Sequence, residues 1–222
     1  MRRIINQSNF PKLWLFFQYT VGGNFDKKKL ILQTYHEEKR ILEVGCSVGN
    51  LAEAFLSARN ISYHGIDVDQ HAIDFAQRRF EKYDNFTFIC DDLAHFKHSA
   101  QPYDLIYFAG VLHHVPDQIA ISLLQSASAL LKQRARICII EPRAASLEDP
   151  KLVRWYAGSL EEGKHLRSAD ALNNLVRPVK GLEIQSEFVA PIHATPFGWP
   201  LCANFVVIEV VKSNMTEGNK LV

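Results

Sequence analysis

Two glycines four residues apart, Gly45 and Gly49, follow the apolar run Ile41-Leu42-Glu43-Val44, and a carboxylate, Asp67, stands 22 residues after Gly45. A strand that ends in small residues lets the backbone bend sharply and approach a ligand with no Cβ in the way. Amide groups at the start of a following helix can then face polar groups of a cofactor. An acid at the end of the next strand points into the same crevice, where it can accept two hydrogen bonds from a ribose diol. Further along, His113-His114 and Glu141 offer an imidazole and a carboxylate that could take a proton from an acceptor. The dinucleotide fingerprint Gly-x-Gly-x-x-Gly is not met, because Ser47 and Asn50 hold its second and third positions. A P-loop is excluded as well, since no Gly-Lys-Ser/Thr follows.

These residues need elements to position them. Short apolar runs at Arg40–Val44, Ser62–Ile66, Phe86–Cys90, Leu105–Ala109 and Ile137–Glu141 read as strands. Between them Leu51–Ala58, His71–Tyr83 (capped by Asp69) and Gln118–Leu131 (capped by Asp117) read as helices. The alternation predicts a parallel sheet with helices on both faces, an α/β doubly wound fold. Helices are expected at Leu152–Tyr156 and at Ala169–Val176, the latter capped by Ser168. Two further strands, Leu182–Val189 and Asn204–Val211, joined by a Pro-rich stretch, form an antiparallel pair. The expected organisation is one domain over 1–222: an aromatic helical cap over 1–36, a sheet core over 37–212 and a polar, flexible tail over 213–222.

Composition narrows the function. Apolar residues make up 47% and charged residues 22% of 222, which suits a globular domain. The net charge of +1 argues against a nucleic-acid partner. Residues 1–40 nevertheless carry eight basic and three acidic side chains. No apolar stretch approaches the ~20 residues of a membrane helix, and no signal peptide is visible. Cys46, Cys90, Cys138 and Cys202 form no metal or disulfide pattern, so each is expected as a small buried residue in a reducing cytoplasm, with no metal site.

The segments ILEVGCSVGN (41–50), YHGIDVDQHAI (63–73), FTFICDDLAHF (86–96), YDLIYFAGVLHHVPD (103–117) and SASALLKQRARICIIEPR (126–143) together resemble the class I S-adenosylmethionine-dependent methyltransferases. Two departures stand out: Ser47 replaces the usual middle glycine, and Lys132-Gln133-Arg134-Ala135 replaces a Lys-Pro-Gly-Gly turn. The resemblance implies a seven-stranded Rossmann-like sheet of order 3-2-1-4-5-7-6 with strand 7 antiparallel. It implies S-adenosylmethionine as cofactor and S-adenosylhomocysteine as product. Glu43, Gly45 and Gly49 would surround the methionine part, and Asp67 would hold the ribose hydroxyls. Val68 would lie against adenine, Asp92 would accept its amino group, and Leu93 would stack or offer its N–H. Ala109 would offer a carbonyl to the methionine amine, and Tyr19 and Gly22-Gly23 would belong to a lid.

The implied reaction is in-line transfer of methyl to an oxygen or nitrogen of a small-molecule metabolite, with proximity supplying most of the rate. His113 or His114, with Glu141, would serve as catalytic base. Trp155, Arg167, His193, Phe197 and Trp199 would form the substrate pocket, and Gly163-Lys164-His165-Leu166-Arg167 resembles an insertion of a bacterial subgroup. The alternatives are a nucleic-acid or protein methyltransferase, or a cofactor-binding partner subunit without catalysis. Oligomeric state is not readable from the sequence.

Overall fold

The computed structural model describes residues 7–20, 23–96, 101–159, 163–195, 197 and 199–213. Seven strands form one sheet: β1 (Arg40–Val44), β2 (Ser62–Asp67), β3 (Phe86–Cys90), β4 (Tyr103–Ala109), β5 (Leu131–Pro142), β6 (Leu182–His193) and β7 (Leu201–Lys212). Their order is β3-β2-β1-β4-β5-β7-β6, as the resemblance implies. Strands β1 to β5 pair in parallel, and β7 runs antiparallel to both β5 and β6. The order reverses between β1 and β4, so the crevice beyond their carboxyl ends is the natural ligand site of such a sheet.

The central strands are buried on both faces, which is why they read as continuous apolar runs. Ile41, Leu105, Tyr107, Cys138 and Ile140 point to one core, and Leu42, Ile106, Phe108, Ile137 and Ile139 to the other. The first core is covered by α2 (Asn24–Thr34), α3 (Gln70–Phe80) and a short 3₁₀ turn, Ala52–Phe55. The second is covered by α4 (Asp117–Leu130) and α6 (Ala169–Val176). Helix α1 (Pro11–Thr20) sits outside these layers, with Trp14 and Leu15 against Val48, Ala72 and Phe75. Helix α5 (Lys151–Ser159) lies beside β7.

Asp69 caps α3 by accepting the N–H groups of His71 and Ala72, and Ser168 caps α6 through Ala171. Asp117 does not cap α4. Pro116 takes that position, and Asp117 is the first helical residue. The helix expected over Leu51–Ala58 is reduced to the 3₁₀ turn. Its backbone closes i→i+3 bonds, Ala54 to Leu51, Leu56 to Glu53 and Ala58 to Phe55. Tertiary contacts override propensity here: Phe55 is fixed among Tyr35, Tyr63 and Tyr107, and Glu53 binds Tyr19, Lys28 and Arg79. Strands β6 and β7 run further than their apolar patterns indicate, so the connection between them shrinks to 194–200. Cys46 and Cys138 are buried, but Cys90 is exposed where edge strand β3 ends. The side chain of Cys202 and residues 214–222 lie outside the described residues.

Candidate active site

The glycine turn after β1 is stitched to β2. The N–H groups of Gly45 and Cys46 both donate to the Ile66 carbonyl, at 2.8 and 3.0 Å. Gly45 and Gly49 have φ of +72° and +71°, a region that side chains rarely adopt. A Cβ on Gly45 would stand 2.5 Å from Val111 Cγ2, so the close approach of this turn to the segment after β4 requires glycine. Ser47, which replaces the usual glycine, also has positive φ, +50°.

Asp67 closes β2 beside this turn. One carboxylate oxygen accepts the Ser47 N–H at 2.8 Å and the other the Asp69 N–H at 2.9 Å. Burial raises its pKa, and those two N–H bonds counter part of the rise. Val68, next to it, is 74% exposed. Across the β2–β3 pair, Asp91 donates its N–H to the Asp67 carbonyl, and exposed Asp92 accepts the N–H of Ala94. Leu93 is buried in the second core. Its side chain is therefore unavailable to stack on a ligand, which corrects one of its two expected roles and leaves its N–H.

Glu43 lies beneath the turn. It is buried and accepts the Tyr63 hydroxyl. Burial pushes its carboxyl up to about 8, the Tyr63 bond opposes this, and nearby Asp67 adds to it. Tyr19 binds Glu53 and Lys28, tying α1 to α2 and the 3₁₀ turn. Burial first, then Glu53, raises its phenol well above the ordinary range. Gly22 lies outside the described residues.

The ends of β4 and β5 are paired, Ala109 opposite Ile140. This brings Glu141 under the 3₁₀ turn Leu112–His114. Its carboxylate accepts the N–H groups of Val111 and Leu112 at 2.7 Å each and of His113 at 3.2 Å. It also meets Nδ1 of His113 at 2.6 Å. A carboxylate offers only lone pairs, so Nδ1 carries the hydrogen and Nε2 is the acceptor nitrogen of the neutral ring. The Cε1 edge of the ring faces Gly110, and its Cδ2 edge faces Gly163, where a Cβ would come within 2.0 Å. His114 is exposed, its ring 4.0 Å from that of His113.

Arg167, expected in the substrate pocket, is instead turned into the protein. All five of its N–H donors are engaged within the protein: Nε and Nη2 with Asp117, Nη1 with the carbonyls of Leu112 and His165, and Nη2 with that of Val115. Among the described residues its acidic partner is Asp117, and the acids at 161 and 162 lie outside them. The Gly163–Arg167 segment is thus a strap over the Leu112–His114 turn, with His165 donating its N–H to the His113 carbonyl.

Of the other residues expected in the pocket, His193 turns to Asp26 of α2, which its N–H and Nδ1 both meet at 2.8 Å. Trp155 is exposed on α5, and Phe197 and Trp199 are 91% and 76% exposed on the β6–β7 loop. None of them lines the cavity at the strand ends. That cavity, about 20 Å³, is walled by Ala109, Gly110, Ile140, Leu51, Lys27, Ile31 and Phe205. It has room for about one water molecule. Lys27 and Phe205 carry no local signal that would have marked them. They come together only because α2 and β7 meet over β4 and β5.

Residues 17–186 match the family model described as a methyltransferase domain. The chain belongs to that family. With its sheet order and switch-point crevice, it is a class I S-adenosylmethionine-dependent methyltransferase. The ubiquinone biosynthesis O-methyltransferase of Coxiella burnetii is 31% identical over 100 residues, 45% of this chain and 42% of that protein. The match therefore spans less than half the length of that relative. The Vibrio cholerae protein of the same name is 25% identical over 169 residues, 72% of this chain and 66% of that one. Among solved structures, N-methyltransferase NodS from Bradyrhizobium japonicum, in complex with S-adenosylhomocysteine, superposes with a TM-score of 0.69 at 16% identity, covering 96% of both chains. Mitomycin 7-O-methyltransferase MmcR gives 0.67 at 16% identity, covering 86% of this chain and 54% of that one. At these identities the structures speak for the fold alone. Among the described residues of the methyltransferase, no helix is long and apolar enough to cross a membrane, and no group of three or more His, Cys, Asp or Glu could hold a metal.

The residues present fit the cofactor. Asp67 offers a fixed carboxylate to a diol, Val68 an exposed apolar face to a flat ring, and Asp92 an exposed acceptor to an amino group. All three stand at the same carboxyl edge of the sheet as the glycine turn.

Proposed function

We propose that this methyltransferase passes the methyl group of S-adenosylmethionine to an oxygen of a small-molecule acceptor, with His113 as base and Glu141 orienting it. The observation that carries this reading is the buried His113–Glu141 pair where β4 and β5 end. An amine or a carboxylate needs no base, whereas a hydroxyl must lose its proton. An imidazole held in one tautomer with Nε2 as acceptor suits the hydroxyl. The O-methyltransferase names of the Coxiella and Vibrio relatives support the same choice.

The cofactor would be held by Glu43, Gly45, Gly49 and Ala109 around its methionine part. Asp67 would take the ribose hydroxyls, and Val68, Asp92 and the Leu93 N–H would take adenine. Tyr19 and Gly22 would contribute from the cap. When bound, its sulfonium supplies an electrophilic methyl group and a good leaving group. The chain's own task is then orientation and proton removal. Gly110 stands between the cavity and the Cε1 edge of His113, and a Cβ there would lie 3.7 Å from Cε1. The cavity is smaller than any acceptor, so entry requires its α2 wall, Lys27 and Ile31, to yield.

The test is release of S-adenosylhomocysteine from S-adenosylmethionine across a panel of hydroxylated and amino acceptors. Hydroxyl acceptors should turn over, and His113→Gln should slow them roughly 10²–10⁴-fold while S-adenosylhomocysteine binding persists. Undiminished turnover in His113→Gln, or turnover of amines alone, would overturn the reading.

A further inference from the structure

The outer face of α1 is apolar and uncovered. Phe10, Leu13, Phe16 and Phe17 recur at helical spacing and are all exposed, Phe16 by 60%. Trp14 and Leu15, on the other side, already bind the protein. The helix therefore has a second hydrophobic stripe that its own fold does not use. A stripe of this kind marks an interaction surface more strongly than scattered apolar residues do.

The stripe continues across the cap. At the far end of α1, Tyr19 packs edge-on against Phe25 of α2, which is itself exposed. Two residues before Phe25, Gly23 approaches Ile192 so closely that a Cβ would lie 2.2 Å from its Cγ2. Asp26 is bonded to His193. The β6–β7 loop, with Phe197 and Trp199 projecting into solvent, is thereby fixed beside the start of α2. Exposed aromatic side chains thus stand on α1 and on the two segments that meet at the start of α2, the helix that walls the cavity.

Of the charged side chains of α1 and α2, the exposed ones are lysines. Among the described residues, α1 carries a single charged side chain, exposed Lys12. In α2 the acid, Asp26, is tied to His193 and Lys28 is tied to Glu53, while Lys29 is exposed.

We propose that this face docks on an anionic lipid bilayer, with α1 lying in the interface. Phenylalanine and tryptophan projecting singly from separate segments suit the soft headgroup boundary, which moulds around them. Lysine flanking an apolar helical stripe adds attraction to anionic lipid. The inference goes beyond methyl transfer and does not depend on the identity of the acceptor.

The test is co-sedimentation of the full chain with phosphatidylcholine vesicles, with and without phosphatidylglycerol. The chain should pellet with the anionic vesicles and be released by added salt. Phe16→Ser/Phe17→Ser and Lys12→Glu/Lys29→Glu should each lower its vesicle affinity roughly tenfold, with S-adenosylhomocysteine affinity kept. Should a variant lose that affinity through misfolding, quenching of tryptophan fluorescence by brominated lipid in the unaltered chain answers the same question. No preference for anionic vesicles, or no quenching, would overturn the proposal. So would a dimer that Phe16→Ser/Phe17→Ser dissolves in the absence of any vesicle binding, which would assign the face to a second copy of the chain.

Discussion

Nδ1 of His113 lies 2.6 Å from Oε2 of Glu141, and the same carboxylate gathers three successive backbone N–H groups from Val111 to His113. One acid therefore fixes both the turn and the tautomer of its imidazole. Glu141→Gln keeps the shape but puts an amide NH₂ where an acceptor stood. With its oxygen kept toward Val111 and Leu112, the amide donates to Nδ1 and moves the ring hydrogen to Nε2. Long-range ¹H–¹⁵N spectra should show that tautomer switch. Urea unfolding should show a loss of roughly 1–3 kcal/mol, because the buried His113 N–H then faces the amide NH₂ and has lost its acceptor.

Arg167 grips the same turn from its carbonyl side, at Leu112 and Val115. Lysine retains the charge but not the planar fork, so it leaves several buried carbonyls without donors. Arg167→Lys should cost roughly 2–3 kcal/mol in urea unfolding. It should leave the affinity for anionic acceptors untouched.

Asp67→Ala removes the carboxylate assigned to the ribose diol. S-adenosylhomocysteine affinity by titration calorimetry should fall more than tenfold, about 1.4 kcal/mol. Unchanged affinity would remove Asp67 from the cofactor site.

Glu43 makes stability depend on pH. Its carboxyl is pushed by burial from 4.5 up to about 8. Between those values the folded chain holds a proton that the unfolded chain has released. The resulting stabilisation is complete below about 4.5 and is lost as the pH rises through about 8, at up to ~1.4 kcal/mol per pH unit. Glu43→Gln abolishes this titration. In the cofactor-free protein, its Tm should fall less than that of the wild type over the same range.

Arg134 lies in the irregular first part of β5, where the register to β4 shifts, with φ of +62° and an exposed side chain. A left-handed backbone costs a non-glycine residue about 1 kcal/mol. Arg134→Gly should raise stability by up to ~1 kcal/mol in thermal unfolding, with no change in cofactor binding.

What could be read from the sequence was local. The five parallel strands, the Asp69 and Ser168 caps and the glycine turn each announce themselves within a few residues, through apolar runs, N-cap chemistry and small side chains. The sheet order came from the resemblance and not from the pattern itself. What escaped depends on contacts distant in sequence. Arg167 looks like a surface anion binder until Leu112, Val115 and Asp117 are folded beneath it. Leu51–Ala58 has good helix formers, yet packing of Phe55 and the ion pairs of Glu53 tighten it into a 3₁₀ turn. Asp117 has the composition of a cap, but Pro116 fixes the extended backbone one residue earlier.

Helix α2 is anchored unequally. At its last residue, Thr34 bonds to the Tyr107 hydroxyl and its carbonyl accepts from Arg136, deep against the sheet. At its first turn the ties are Asp26 to His193 and Asn24 to Asn50. Motion that spares the deep anchor is rotation about a fulcrum at Thr34. An 11-residue helix is a lever of about 16 Å. A swing of roughly 20° would then carry its Gly23 end about 5 Å and Lys27 somewhat less. Leverage of this kind converts the loss of the Asp26–His193 and Asn24–Asn50 bonds and of the Gly23–Ile192 packing into a gap beside Ala109 and Gly110, while the floor of the sheet stays still.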